Sequence, residues 1–271
     1  MGLIFIGFFV LTLILLAARF DNEAAQGNIE SNITATPIPS LSPTPSPIPT
    51  KLPLSSEFEI EILEKNGEKI LECENCMLAF VDKEYSLASD YAPEVRNLKI
   101  PGGGQMSPDA ANAMESMYQD ALKKGINIYS VSTYRSFAEQ ESTFEYWVGV
   151  EMGRGYSRSE AITRANVYSA KPGHSEHQLG NTIDVSCNGC SAFEDSAGNK
   201  IIYEYIEQHA HKFGFVVSYP KNSQQFTGYK YEPWHLRFIG EELALEVYET
   251  GYIEGNGNYV AKFLKQKFDQ N

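Results

Sequence analysis

The sequence predicts an α+β fold, a small antiparallel sheet flanked by helices. Its strand candidates are short and do not alternate strictly with helices, which argues against a parallel βαβ array. Its helix candidates carry apolar residues at helical spacing, and its strand candidates alternate apolar with polar positions. No internal repeat is present.

Residues 1–20 come first. Met1 to Ala18 contain no charged side chain, and the run LIFIGFFVLTLILL approaches the roughly 20 apolar residues that a membrane span needs. No Lys or Arg precedes the run, and Ala17-Ala18 is a poor cleavage signal. An uncleaved signal anchor is therefore expected over a cleaved signal peptide, and either places the remainder outside the cytoplasmic membrane. Residues 21–56 form a linker. Its stretch TPIPSLSPTPSPIPTKLP holds seven of the chain's 13 prolines, so it cannot bury a core and favours extended polyproline II.

In residues 57–71, FEIEILEKNGEKI alternates around Asn66-Gly67, the signature of a small hairpin. Residues 72–271 are expected to form the main domain. Ser107-Pro108-Asp109 opens a helix with Ala110, Ala113, Met114, Met117 and Leu122 on one face, and Gly125 ends it. INIYSVSTY follows as a strand. A helical stretch from Phe137 to Ser169 breaks near Gly153-Arg154-Gly155. Thr182 to Ser186, Phe215 to Val217 and Trp234 to Phe238 read as strands, and Ile201 to Phe213 and Glu241 to Glu249 as helices.

The formal net charge of −13 argues against nucleic acid as a partner, because phosphate binding needs clustered Lys and Arg. No segment demands a protein partner, so a monomer is expected. The four cysteines form two CxxC pairs, Cys73/Cys76 and Cys187/Cys190. In an exported chain these are expected as disulfides, either within each pair or between pairs. A tetrahedral structural zinc site built from all four thiolates is the alternative.

Only five histidines occur, and three lie in two short segments, PGHSEHQLGNTIDV (172–185) and YEPWHLRF (231–238). A catalytic zinc takes three protein ligands and leaves a position open. His177, Asp184 and His235 supply such a set, and Glu232 remains to accept a proton from water; on spacing alone, core histidines and ordinary surface charges are the alternative. The seven-residue step from His177 to Asp184 would put them on opposite faces of a straight strand, so Gly180 must allow a bend. His209 and His211 lie near a helix C-terminus, which favours cations, and are not expected as ligands. His174 is expected to be structural.

The string from Ser175 to Asp184, SEHQLGNTID, resembles the SxHxxGxxxD signature of VanY-type D-alanyl-D-alanine carboxypeptidases, zinc peptidases with a hedgehog-like fold. Glu232-Pro233-Trp234-His235 resembles their ExxH signature, and Thr133-Tyr134-Arg135-Ser136 their YRS segment. The resemblance spans about residues 75 to 240. It implies zinc bound by His177, Asp184 and His235, with Glu232 as general base and then general acid. Arg135 would steady the oxyanion or anchor the substrate carboxylate. Gln140, Ser175 and Tyr219 match cleft-lining positions. The implied partner is the peptidoglycan stem peptide, cut at D-Ala-D-Ala. An L,D-carboxypeptidase, or a wall-peptide binder without catalysis, are the alternatives. Two residues depart from the pattern: Thr182 replaces a small residue, and Ser218 stands before Tyr219-Pro220 where many relatives carry Arg.

Overall fold

The computed structural model describes residues 59–191, 194–251 and 259–270. The expected anchor and proline-rich linker lie outside them. No helix among the described residues is long and apolar enough to cross a membrane.

The hairpin forms as its turn residues require. β1 (Glu61–Lys65) and β2 (Glu68–Glu72) pair antiparallel, and Asn66 and Gly67 take the positive φ values, 54° and 81°, of a primed turn. β2 then pairs in parallel with β3 (Tyr85–Leu87), so the hairpin is one part of a three-stranded sheet. A two-stranded ribbon of β4 (Arg96–Asn97) and β5 (Gln105–Met106) leads into α1 (Pro108–Lys123), with Ser107 at its N-cap position.

β6 (Ile128–Ser132) is followed at once by α2 (Phe137–Gly153) and α3 (Arg158–Ala165). Both helices begin with a capping box. Ser136 with Glu139, and Ser157 with Glu160, satisfy each other's first-turn N–H groups. A 3-10 turn, Glu176–Leu179, precedes β7 (Thr182–Cys187). α4 (Ala197–His209) and a 3-10 extension, Ala210–Phe213, lead to β8 (Phe215–Val217). The short α5 (Gln224–Thr227), β9 (His235–Phe238), α6 (Glu241–Glu249) and α7 (Val260–Asp269) complete the order.

β6, β7, β9 and β8 form a four-stranded antiparallel sheet in that spatial order. Its two faces differ because side chains alternate along a strand. Ile183, Val185, Leu236, Phe238 and Phe215 join Met114 and Met117 of α1 and Ile202 and Ile206 of α4 in the main core. The intervening positions Thr182, Asp184, Ser186, His235 and Arg237 are also buried, yet polar. A second core packs α6 and α7 against Phe80, Leu87, Leu179 and Val216. The α+β expectation therefore holds. α5, α7 and strands β3 to β5 are additions to the elements expected from sequence.

Each disulfide closes within its own pair, Cys73–Cys76 and Cys187–Cys190, with no free cysteine among the described residues. The bend demanded at Gly180 is real. This residue ends the 3-10 turn with φ 77°, and a Cβ there would lie 2.7 Å from Pro93 Cγ. Gly180→Ala is expected to cost about 1–3 kcal/mol, through left-handed strain together with the clash. Chemical denaturation would measure it, and an unchanged midpoint would show that the bend tolerates a side chain.

Candidate metal centre

The polar face of the sheet gathers the residues singled out from sequence. Asp184 on β7 stands directly opposite His235 on β9, and side chains on facing residues lie side by side. His177 enters from the 3-10 turn. Its Nε2 lies 3.2 Å from Asp184 Oδ2, and His235 Nδ1 lies 3.1 Å from Asp184 Oδ1. The two imidazole rings meet edge to face at 5.1 Å. One donor atom from each of His177, Asp184 and His235 lies within 4.8 Å of the others, and all three residues are buried. Two imidazoles and one carboxylate in that arrangement fit a tetrahedral zinc that keeps one position open.

Protonation follows the surroundings. His177 Nδ1 sits 2.6 Å from the Thr133 carbonyl, an acceptor only, so Nδ1 carries the hydrogen and Nε2 is free to ligate. Burial, and then the charge of Arg135, push His177 below the ordinary imidazole value and keep it neutral. Asp184 is held well below the usual carboxylate range. Burial opposes this, and contacts with His177 and His235 outweigh it. His235 is raised to about 10, because hydrogen bonds to Asp184 and Glu176 outweigh its burial.

Glu232 lies just before β9. Its backbone N–H donates to the Tyr219 carbonyl at 2.9 Å, and its Oε2 lies 3.8 Å from His235 Nδ1. Burial pushes its carboxyl up to about 8, reinforced by Asp184 and Glu176 against the pull of His235 and Arg135. A carboxyl poised near neutrality both accepts and returns a proton.

Arg135 sits between the end of β6 and the Ser136 cap of α2, its N–H donating to the His177 carbonyl at 3.2 Å. Its charge acts on both Asp184 and Glu232, and its Nε is buried without a hydrogen-bond partner. That leaves a donor at the site for an oxygen that arrives with a ligand. Gln140 is equally incomplete. Its Nε2 donates to the Ala170 carbonyl at 2.6 Å, while its buried Oε1 has no partner. Ser175 is buried at the start of the 3-10 turn and makes no cap hydrogen bond there. Tyr219 packs its ring 4.8 Å from that of His235.

The remaining histidines are elsewhere or structural. His174 Nδ1 contacts the Asp82 carbonyl at 2.7 Å, His209 stacks on Tyr205 and His211 on Tyr248. Two participants were not anticipated from sequence. Glu176 is buried beside His235, and the Ser218 hydroxyl donates to it. The adjacency of Glu176 to His177 was the only available signal. Lys83 is the second. Its ammonium donates to the Asn166 carbonyl and to Asn166 Oδ1 (2.9 Å), and lies 3.2 Å from the Tyr229 ring centroid. Tyr229 in turn packs on Tyr219 at 4.8 Å.

Fold and site together fit a single-metal hydrolase, with two histidines and an aspartate as candidate ligands and the Glu232 carboxyl beside them. The family model described as VanY, D-alanyl-D-alanine carboxypeptidase, matches residues 103–241. The chain belongs to this family. It is 32% identical to the putative carboxypeptidase YodJ of Bacillus subtilis (strain 168), over 70% of each chain. Among solved structures it resembles the LdcB LD-carboxypeptidase, with TM-score 0.62 and 28% identity over 78% of this chain and 94% of that one. It also resembles a zinc-bound variant of the vancomycin resistance D,D-pentapeptidase VanY from a VanB-type cassette. There the TM-score is 0.58 and the identity 26%, over 65% of this chain and 94% of that one.

Burial pushes the Lys83 ammonium down to about 7 from 10.5, against the attraction of Glu232. Between those pH values the unfolded chain binds more protons than the folded one, so Lys83 makes stability rise with pH. The stability of the wild type relative to Lys83→Met is expected to improve from pH 7 towards pH 10. Urea titrations across that range would measure it, and a gap constant with pH would refute it.

Proposed function

We propose that the chain is a zinc-dependent D-alanyl-D-alanine carboxypeptidase that removes the terminal D-Ala from peptidoglycan stem peptides, with His177, Asp184 and His235 as the zinc ligands. The carrying observation is Glu232, a carboxyl 12% exposed that lies 3.8 Å from His235, beside the three candidate ligands but outside their set. A binding module or a closed structural zinc site has no use for such a group.

His177, Asp184 and His235 would hold the zinc, which would supply Lewis acidity for a carbonyl and bring the pKa of water towards about 7. Glu232 takes the proton from the attacking water at its carboxylate and delivers it to the departing amine. Arg135 presents its unpaired guanidinium edge to the developing oxyanion or to the substrate's terminal carboxylate, for which its planar fork is suited. Gln140 Oε1, Ser175 and the Tyr219 ring line the approach to the metal. An L,D-carboxypeptidase remains the second reading, favoured by the overlap with LdcB over most of the chain.

We also propose that residues 1–20 tether the catalytic domain outside the membrane through the proline-rich linker, and that it acts as a monomer. The two disulfides support this location, since they persist in oxidising compartments. Protease shaving of intact cells tests the location, and light scattering tests the monomer. Protection from protease, or a dimer mass, would overturn the respective proposal.

Mass spectrometry of synthetic muropeptides tests the reaction. Loss of one alanine from a pentapeptide ending in D-Ala-D-Ala, abolished by a chelator, is the expected result. Loss from the tetrapeptide alone would move the assignment to L,D cleavage, and no cleavage of either would sink the catalytic reading. Glu232→Gln is expected to lower kcat by about 10²–10⁴-fold while retaining zinc. A variant that keeps turnover would remove Glu232 from the proton-transfer role. Arg135→Lys, which keeps the charge and loses the fork, is expected to lower kcat/KM by roughly 10–10³-fold. A dominant rise in KM would mark a carboxylate anchor, a dominant fall in kcat an oxyanion donor, and normal kinetics would exclude both.

A further inference from the structure

We infer that Glu176 is the positioning residue of the metal centre: clamped by Arg237 and Ser218, it holds His235 with a hydrogen on Nε2 and with Nδ1 turned towards Asp184, where a metal takes the place of the Nδ1 hydrogen. The inference rests on the reading of His177, Asp184 and His235 as metal ligands. It concerns what orients one of them.

Glu176 is 2% exposed and receives three donors. Arg237 Nη1 donates to Oε1 at 2.9 Å, the Ser218 hydroxyl to Oε2 at 2.5 Å, and His235 Nε2 to the same Oε2 at 3.0 Å. Arg237 is itself fully buried, and its Nη2 donates to the carbonyls of Met77 (3.1 Å) and Ala79 (2.6 Å). A guanidinium cannot give up its charge, and a buried one demands a carboxylate partner. An ionised carboxylate accepts hydrogen bonds and donates none. Nε2, which faces Glu176, must therefore carry a hydrogen. Nδ1 lies 3.1 Å from Asp184 Oδ1 and donates to it while no metal is bound; because Asp184 is itself a candidate ligand, Nδ1 is the nitrogen that exchanges its hydrogen for a metal.

The three ligands thus have three different outer supports. The Thr133 carbonyl sets His177, and the β7–β9 register sets Asp184. Only His235 depends on a side chain that substitution can change. Arg237 lies two residues beyond His235 on the same face of β9, and Glu176 immediately precedes His177. The Arg237–Glu176 pair therefore also joins the two segments that carry the imidazoles.

The test measures zinc affinity by competition with a chromophoric chelator, for wild type, Glu176→Gln and Ser218→Ala. It also records the imidazole ¹⁵N–¹H correlations of the zinc-loaded wild type. An amide must turn its NH2 towards one of three donors, so Glu176→Gln is expected to bind zinc about 10–100-fold more weakly. Ser218→Ala keeps the carboxylate and its Arg237 clamp, and a smaller loss of several-fold is expected. The His235 signals should show the hydrogen on Nε2 and the metal on Nδ1. Wild-type zinc affinity in a folded Glu176→Gln protein, or a His235 bearing hydrogen on Nδ1, would overturn the inference. Should Glu176→Gln fail to fold, the wild-type spectrum still decides. A wild type that binds no zinc would instead mean failure of the metal-centre reading itself.

Discussion

Because β7 and β9 pair antiparallel with Asp184 facing His235, the metal centre depends on a single strand register. A slip of either strand by one residue would turn its ligand, Asp184 or His235, into the apolar core behind the sheet and bring Ile183 or Leu236 into the site. The packing of α1 and α4 opposes that slip. Ile183, Val185, Leu236 and Phe238 fill the space beneath those helices, and burying such side chains is worth about 1.5–3 kcal/mol each. The polar face of the sheet is held in place by the apolar one. The Thr182–Arg237 pair, next in the same ladder, positions Arg237 for Glu176 by the same alternation.

The candidate ligands, Glu232 and Arg135 were gathered from sequence because they sit in short segments whose residue types suit a zinc centre and match a family signature in order, and the structure brings them together. The elements carrying them were legible too, since TIDVS alternates and α1 and α6 show helical spacing. The intervening backbone was harder to read. Seven residues separate His177 from Asp184, and periodicity shows only that a straight strand cannot serve both. Gly180 was the clue to the bend, but a 3-10 turn ending in a left-handed residue leaves no periodic trace in four positions. Strands β4 and β5 are two residues long, too short for any alternation to register.

Glu176, Ser218 and Lys83 illustrate a different limit. Each is an ordinary polar residue in sequence, and its importance comes from partners 42 to 83 positions away. Glu176 is held to about 2 even though burial works against its charge, because Arg237 leads the groups that offset the loss of water. Glu232 is 12% exposed and has no comparable partner, and loss of water raises it to about 8. The environment separates carboxyls that sequence cannot tell apart, one fixed as an anion and one able to exchange a proton.

That separation reaches back to the first disulfide. The N–H of Cys76 donates to the Tyr91 hydroxyl, while the Ala79 N–H closes a turn onto the Cys76 carbonyl. The carbonyls of Met77 and Ala79 are thereby left facing inward. Met77 takes a hydrogen bond from Asn181 as well as from Arg237, and Ala79 takes the shorter of the two from Arg237. A cross-link between Cys73 and Cys76 closes too small a loop to stabilise the chain much through entropy. Its consequence is local, because it narrows the conformations of the turn that offers those carbonyls. The guanidinium they hold meets Glu176, and Glu176 meets His235. The hairpin region is thus part of the support of the metal centre, since a loosened turn would release Arg237 first and the orientation of His235 with it.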